Sequence, residues 1–341
     1  MKHYPILFLI IIFVIVLIFV TGGVFYLYQR DNPQDTDYPV DLVYLWVDGN
    51  DPAWIKKKSF YQRKAGQLPQ NATDIARFRQ FDELKYSLRS VEKNLPWINH
   101  IFIVTDNQVP KWLDTNNPKI TIIDHTQILP KEALPVFNSC ALETRLPYIP
   151  GLSEHFLYAN DDCYVRVPLE KSFFFNQEGN PRMYVKYKQR TYNTNLWLAQ
   201  IQKAHQLIAQ KYPLNFAITP SHNMEPYRKS YFLEAIDEYT EEFNKTTHSK
   251  FRQSSDINRV IIELRDRMLN RNEMYAKEDT SLLPPTCKTA FSLISNNFLA
   301  LDYEMPCLFC LNDFEGKTEN EIKITLRILN ILYPTKSSFE K

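Results

Sequence analysis

The sequence predicts an α/β fold. A largely parallel sheet occupies its first half, helices dominate its second half, and a transmembrane helix precedes both. Three observations carry this expectation. Residues 6–28 contain no charged side chain. Four apolar runs rich in β-branched and aromatic residues, at 40–47, 100–106, 119–124 and 155–161, are interleaved with helical stretches. Further on, apolar residues recur at helical rather than strand spacing.

Taken in order, residues 1–5 form a short tail and residues 6–28 are long enough to cross a bilayer as a helix. A cleaved signal peptide is the rival reading, but no A-x-A site follows the apolar run and the segment ends in interface-suited aromatics. Residues 29–39, "QRDNPQDTDYP", read as a stalk. Residues 40–320 form the expected catalytic domain and 321–341 a C-terminal helical segment. With the N-terminus cytoplasmic, the chain is a single-pass type II protein. A Golgi lumen-facing domain is favoured, with the bacterial envelope as the alternative. The sequons at Asn71 and Asn244 fit the first location.

Within the domain, "VDLVYLWV" (40–47) reads as a buried strand followed by turn chemistry at Asp48-Gly49-Asn50-Asp51-Pro52. A helix follows at 80–95, with Leu84, Leu88, Val91 and Leu95 on one face and Pro96 as its stop. Strands at 100–106 and 119–124, a short helical stretch at 141–149 and a strand at 155–161 complete the alternating pattern. Downstream, helices are expected at about 195–211, 228–243 and 255–276. An amphipathic stretch covers 317–333.

The formal net charge of +1 excludes the concentrated basic surface that general nucleic-acid binding needs. Five cysteines leave at least one thiol unpaired within the chain. Cys307-Leu-Phe-Cys310 has zinc-like spacing, but no second pair completes a site, so buried thiols or one or two disulfides are expected.

The four strands end in Asp48, Asp106, Asp124 and Asp161. In a parallel sheet those carboxylates collect at one edge, where ligands of such sheets bind. Asn160-Asp161-Asp162 and Asp48-Gly49-Asn50-Asp51 suit a hard divalent cation and a nucleotide phosphate, though each is also an ordinary turn. His222, in the proline-bounded loop "TPSHNMEPYRK", is a candidate base or nucleophile. Arg252 is a candidate phosphate clamp, and Asn312-Asp313 ends another apolar run.

These residues carry a resemblance. "DLVYLWVDGNDPAW" (41–54), the long stretch within 79–169, "SHNMEPYRK" with "KFRQSSD" (within 221–256) and "FCLNDFEG" (309–316) resemble the four regions of the Stealth sugar-phosphate transferases, in family order. That family includes capsular and exopolysaccharide phosphotransferases and the catalytic subunit of lysosomal-enzyme N-acetylglucosamine-1-phosphotransferase. The resemblance implies a Rossmann-like, GT-A-like domain that moves a hexose-1-phosphate from a nucleotide-sugar, with UDP-GlcNAc favoured, to a glycan or polysaccharide hydroxyl. It implies Mg2+ or Mn2+ held by Asp161, Asp162 and Asp313. It places His222, Arg252 and Asp48 in catalysis and Asp51, Arg79, Asn160 and Asn312 on substrate. Two other readings stand beside it: a metal-dependent GT-A glycosyltransferase, and an inactive membrane-tethered glycan-binding relative.

Overall fold

The computed structural model describes residues 38–187, 195–294 and 306–341. The expected tail, the membrane anchor at 6–28 and nearly all of the stalk lie outside these. Among the described residues no helix is long and apolar enough to cross a membrane.

In chain order the strands are β1 (Val40–Leu45), β2 (Ile101–Thr105), β3 (Ile120–Asp124), β4 (His155–Asn160), β5 (Cys163–Val165) and β6 (Arg182–Lys186). They continue with β7 (Thr219–Pro220), β8 (Glu225–Arg228), β9 (Glu273–Ala276), β10 (Thr289–Ile294) and β11 (Pro306–Leu311). The main helices are α1 (Pro52–Ala65), α2 (Glu83–Asn94), α3 (Ser139–Glu143), α4 (Leu196–Lys211), α5 (Lys229–Glu238), α6 (Thr240–Thr247), α7 (Val260–Met268) and α8 (Glu319–Leu332).

The main sheet has the order β3-β2-β1-β4-β8. Its first three pairings are parallel, and β8 closes the far edge antiparallel to β4. β1 is buried on both faces, as a central parallel strand must be, and its side chains alternate between two cores. Val43 and Leu45 join Phe102, Phe156 and Tyr158 under α4, α5 and α7. Leu42 and Tyr44 join Ile103 and Leu157 under α2 and the small sheet β10-β11-β5. The expected stripe of Leu84, Leu88, Val91 and Leu95 packs in this second core. Ile257, Val260, Ile261 and Leu264 pack in the first.

The second half is mixed, not largely helical. A third sheet, β7-β6-β9, and the β10-β11-β5 sheet lie in or reach into it. Their pairing comes from contacts distant in sequence. The stretch read as one helix over 228–243 breaks at Tyr239 into α5 and α6. The stretch read as a helix over 255–276 contains only α7. It ends before Asn270, which takes a left-handed backbone (φ 56°), and the chain then enters β9. α1 follows the turn at residues 48–52 without having been read from the sequence. Its start is nonetheless marked, by Asp51 as N-cap and Pro52 in the first turn. α8 begins at a Thr318/Glu321 capping box and runs through residue 320, so the boundary drawn there falls inside a helix. All five cysteines are buried and free.

The C-terminal residues are fastened to α2. Arg89 donates Nε and Nη2 to the two oxygens of Glu340, at 2.7 and 2.8 Å, and Nη1 to the Tyr333 carbonyl at 2.9 Å. Burial alone would raise the Glu340 carboxyl. The Arg89 and Ser337 hydrogen bonds outweigh it and hold the group below its ordinary value. A depressed acid stabilises the fold fully above its unfolded pKa and loses that contribution as pH falls through the folded one. Glu340→Gln is therefore expected to cost about 1–3 kcal/mol at pH 7. In urea denaturation the gap to wild type should close as the pH is lowered below the ordinary glutamate range. A gap independent of pH would contradict this assignment.

Candidate active site

In a sheet of order 3-2-1-4, the chain reverses direction of build between β1 and β4, leaving a crevice beyond their carboxyl ends. A cleft of about 330 Å3 lies there. Leu45, Trp46 and Val47 line it from the end of β1, and Asn160, Asp161 and Asp162 from the end of β4. Glu83 enters from the start of α2, Arg77 and Phe78 from the segment before it, and Asn138 and Ser139 from the start of α3. His222, Arg252, Asn312 and Asp313 also line it.

His222 is the hinge of this arrangement. Its Nε2 lies 3.1 Å from Asn160 Nδ2 and 4.0 Å from Asp162 Oδ1. Asn160 Oδ1 accepts from the Tyr158 hydroxyl at 3.0 Å, which turns the amide nitrogen toward the imidazole. Nε2 is then the acceptor, and the ring proton sits on Nδ1. Burial, then the nearby Arg259 and Arg252, push His222 down to about 4, so it is neutral at pH 7 with a lone pair to offer.

Behind Tyr158 lies a buried ionic chain. Tyr158 also reaches Glu143 at 3.3 Å, and Arg259 bridges Glu143 (3.4 Å, Nη1) and Glu225 (through Nε). The Tyr227 hydroxyl sits between Glu225 and Glu263, at 3.1 and 3.0 Å. One guanidinium cannot neutralise three carboxyls. Burial, reinforced by Glu225, raises Glu263 well above the usual carboxyl range.

The acids at the cleft floor crowd one another. Burial raises Asp161, Asp162 and Glu83 alike; Asp162 pushes Asp161 further and Asp161 pushes Glu83. Three carboxyls crowded in this way are the donor set a hard divalent cation relieves. On this ground Asp161 and Asp162 fit a Mg2+ or Mn2+ site.

Two guanidiniums line the same cleft. Arg252 donates to Ser139 Oγ, and Arg77 donates Nε to the Asn71 carbonyl. Arg77 is lowered to about 10, first by burial and then by repulsion from Arg252. Two like charges turned toward one cavity are a receptor for an anion between them. Beside them Trp54, Phe78 and Phe137 form an aromatic wall, with ring centroids 5.2 and 5.6 Å from Trp54.

Of the residues singled out from the sequence, Asn160, Asp161, Asp162, His222, Arg252, Asn312 and Asp313 meet in the cleft. Four residues expected in the site also make structural contacts of their own. Asp48, expected in catalysis, shapes the turn after β1 by accepting from the Asn50 N–H at 2.9 Å, and it does not line the cleft. Asp51, expected on substrate, caps α1 through Ala53 N (2.8 Å) and accepts from Gln108 Nε2 at 3.1 Å, which lowers its pKa. Asp313, expected on a metal, is held by Arg79 through two 3.0 Å hydrogen bonds, with Lys317 3.8 Å away. Arg79, expected on substrate, is thereby committed to Asp313 and the Phe314 carbonyl. Arg77, Glu83, Asn138 and Ser139 were not singled out. Their only sequence signal is their place near Arg79 or within the long second region. Gly49 links the two walls: a Cβ there would stand 1.9 Å from the Phe78 carbonyl oxygen, so only glycine lets the β1 turn lie against the segment carrying Arg77.

Comparisons with known proteins identify the family. Residues 38–66 match the family model "Stealth protein CR1, conserved region 1" and residues 77–183 match "Stealth protein CR2, conserved region 2". The chain is 34% identical over 295 residues to the capsular polysaccharide phosphotransferase fcs1 of Haemophilus influenzae, covering 82% of this chain and 79% of that one. It is 35% identical over 295 residues to the capsular polysaccharide phosphotransferase LcbA of Neisseria meningitidis, covering 83% and 79%. Among solved structures it is similar to the galactosyltransferase LgtC in complex with donor and acceptor sugar analogs. There the TM-score is 0.42 at 11% identity, over 88% of this chain and 97% of that one.

Removing the buried cation tests the supporting chain. Arg259→Met keeps the volume but leaves Glu143 and Glu225 without their cation, and is expected to cost about 3–5 kcal/mol in urea denaturation. A loss below about 1 kcal/mol, the range of an exposed pair, would show that the network bears no weight.

Proposed function

The chain belongs to the Stealth family of polysaccharide phosphotransferases, and from that premise we propose which groups of its cleft carry the transfer. The enzyme is a sugar-phosphate transferase. The proposed donor is a nucleotide-sugar, with UDP-GlcNAc favoured, and the proposed acceptor is a hydroxyl of a glycan or polysaccharide. The observation that carries the assignment of roles is that Asp162 and His222 stand 4.0 Å apart at the crevice between β1 and β4, in one cleft with Arg77 and Arg252.

The donor's diphosphate lies along the cleft between the acid floor and the two arginines. Arg77 and Arg252 grip its non-bridging oxygens, and the aromatic wall offers a stacking face to the nucleobase or a sugar. Asp161 and Asp162 would hold Mg2+ or Mn2+, which when bound supplies positive charge to the phosphates. The acceptor oxygen attacks the phosphorus that bears the sugar. A new oxygen–phosphorus bond forms, the bond to the bridging oxygen of the diphosphate breaks, and nucleoside monophosphate leaves. His222, neutral and with its lone pair on Nε2, takes the acceptor proton once the amide of Asn160 yields its place. The same lone pair suits direct attack on phosphorus, and rapid-quench trapping of a phospho-imidazole separates the two routes. Asn312 lies at the cleft rim, where a sugar hydroxyl would meet it.

Location is part of the same reading. Residues 6–28 would tether the domain to a membrane. The bacterial relatives favour an envelope enzyme, while a Golgi enzyme remains the reading that the sequons support.

Incubation of the full chain with UDP-GlcNAc, Mg2+ and an oligosaccharide acceptor is expected to release UMP, with one phosphorus retained in the product. Release of UDP would contradict the reading and point to an ordinary glycosyltransferase. His222→Ala is expected to lower kcat by about 10^2–10^4-fold with nucleotide binding kept. Arg77→Ala is expected to act mainly on KM, losing about 2 kcal/mol of donor binding. Equal effects of both changes on kcat and KM would remove the division of roles.

A further inference from the structure

The transfer chemistry leaves unused a thiol beside its centre. Among the described residues, a carboxylate oxygen of Asp162, an imidazole nitrogen of His222 and the sulfur of Cys310 lie within 4.8 Å of one another. The fold brings them together from three places: the turn after β4, the loop before β8 and the last residues of β11. Cys310 stands directly opposite Cys163 in the antiparallel pair β11–β5. The Leu311 N–H donates to the Asp162 carbonyl at 3.0 Å and the Arg166 N–H to the Cys307 carbonyl at 2.8 Å, so the 163/310 pair lies at a position without backbone hydrogen bonds of its own. Side chains approach most closely at such positions. Cys163 Sγ itself lies 3.9 Å from Asp162 Oδ1 and 4.0 Å from the His222 carbonyl oxygen. The strand also disposes of the Cys307-x-x-Cys310 spacing as a motif: residues three apart on a strand point to opposite faces. Cys310 acts without Cys307.

An oxygen, a nitrogen and a sulfur converging on one point form a donor set for zinc-class ions rather than for magnesium, which takes oxygen. Zinc bond lengths place tetrahedral donors roughly 3.3–3.8 Å apart, so side-chain rotations of about 1 Å close the set. Asp162 and His222 both line the cleft, which leaves the fourth position open to it. We propose that Asp162, His222 and Cys310 form a binding site for a thiophilic divalent cation of the zinc class, and that its occupancy inhibits the transferase. Coordination forms a metal–sulfur bond and releases the Cys310 thiol proton to water. It also takes up the Asp162 oxygen and the His222 lone pair. The binding site stands on its own geometry; the inhibition rests on the roles given to Asp162 and His222 above.

The test uses the full chain kept reduced with a phosphine, titrated with Co2+ as a spectroscopic probe and with Zn2+ in competition. One equivalent of Co2+ should produce a thiolate-to-cobalt charge-transfer band that Zn2+ abolishes. Cys310→Ala should lose the band and weaken Zn2+ binding by about tenfold or more. Cys163→Ala should keep the band. Cys310→Ser serves where the alanine variant folds poorly. Absence of the band in wild type, or its survival in either Cys310 variant, overturns the site. In the Mg2+-supported assay Zn2+ should inhibit wild type, and its half-inhibitory concentration should rise by about tenfold or more in Cys310→Ala. Undiminished turnover with the band fully developed overturns the inhibition. If the chain shows no transferase activity at all, the spectrum still decides the site.

Discussion

Arg259 is the buried charge on which the cleft depends. It sits at the start of α7, 8% exposed, and engages Glu143 of α3 and Glu225 of β8. Those partners tie the helical layer to the antiparallel edge of the sheet. Through Glu143 and Tyr158 the tie reaches Asn160, and through Asn160 it reaches His222. A buried guanidinium is costly unless its donors are paired, so each neighbour is constrained in turn. The orientation of one imidazole at the sheet edge is thus set by an ion pair in the core behind it. The positive charge also helps keep His222 neutral.

Opposite electrostatic choices face each other across the cleft. On the floor, Asp161, Asp162 and Glu83 are crowded enough to resist ionisation. On the wall, Arg77 and Arg252 repel one another. Neither side is satisfied alone, and each is suited to what the other lacks: a cation on the floor and a polyanion between them. Asp313, by contrast, is already neutralised by Arg79 and Lys317, which fixes the segment after β11 against the start of α2. Adjacent acids in one sequence can therefore serve unlike ends, and the local cation decides which.

The parallel half of the fold was legible because its signals are local. Four apolar runs, a helix with Leu84, Leu88, Val91 and Leu95 on one face, and acids at strand ends all survive in the structure. The convergence of Asn160, Asp161, Asp162, His222 and Arg252 followed from the family resemblance, since no spacing places residue 222 or 252 beside residue 161. What escaped was set by distant partners. β8 is strand because Tyr158 and Leu157 lie opposite Glu225 and Pro226, not because its four residues alternate. Asp48 and Asp51 carry the same surface pattern as Asp161 and Asp162, and in the structure Asp48 shapes a turn and Asp51 caps α1. Arg77 had no mark of its own until the fold turned it toward Arg252.

The central claim is that the cleft directs attack to phosphorus. A nucleotide-sugar carrying oxygen-18 in the bond between the sugar and its phosphate tests it most directly. After one round of transfer, attack at phosphorus leaves the label within the product, joining the sugar to the new phosphodiester, and the account predicts this result. Recovery of the label in a released nucleoside diphosphate would place the attack at the anomeric carbon and contradict it.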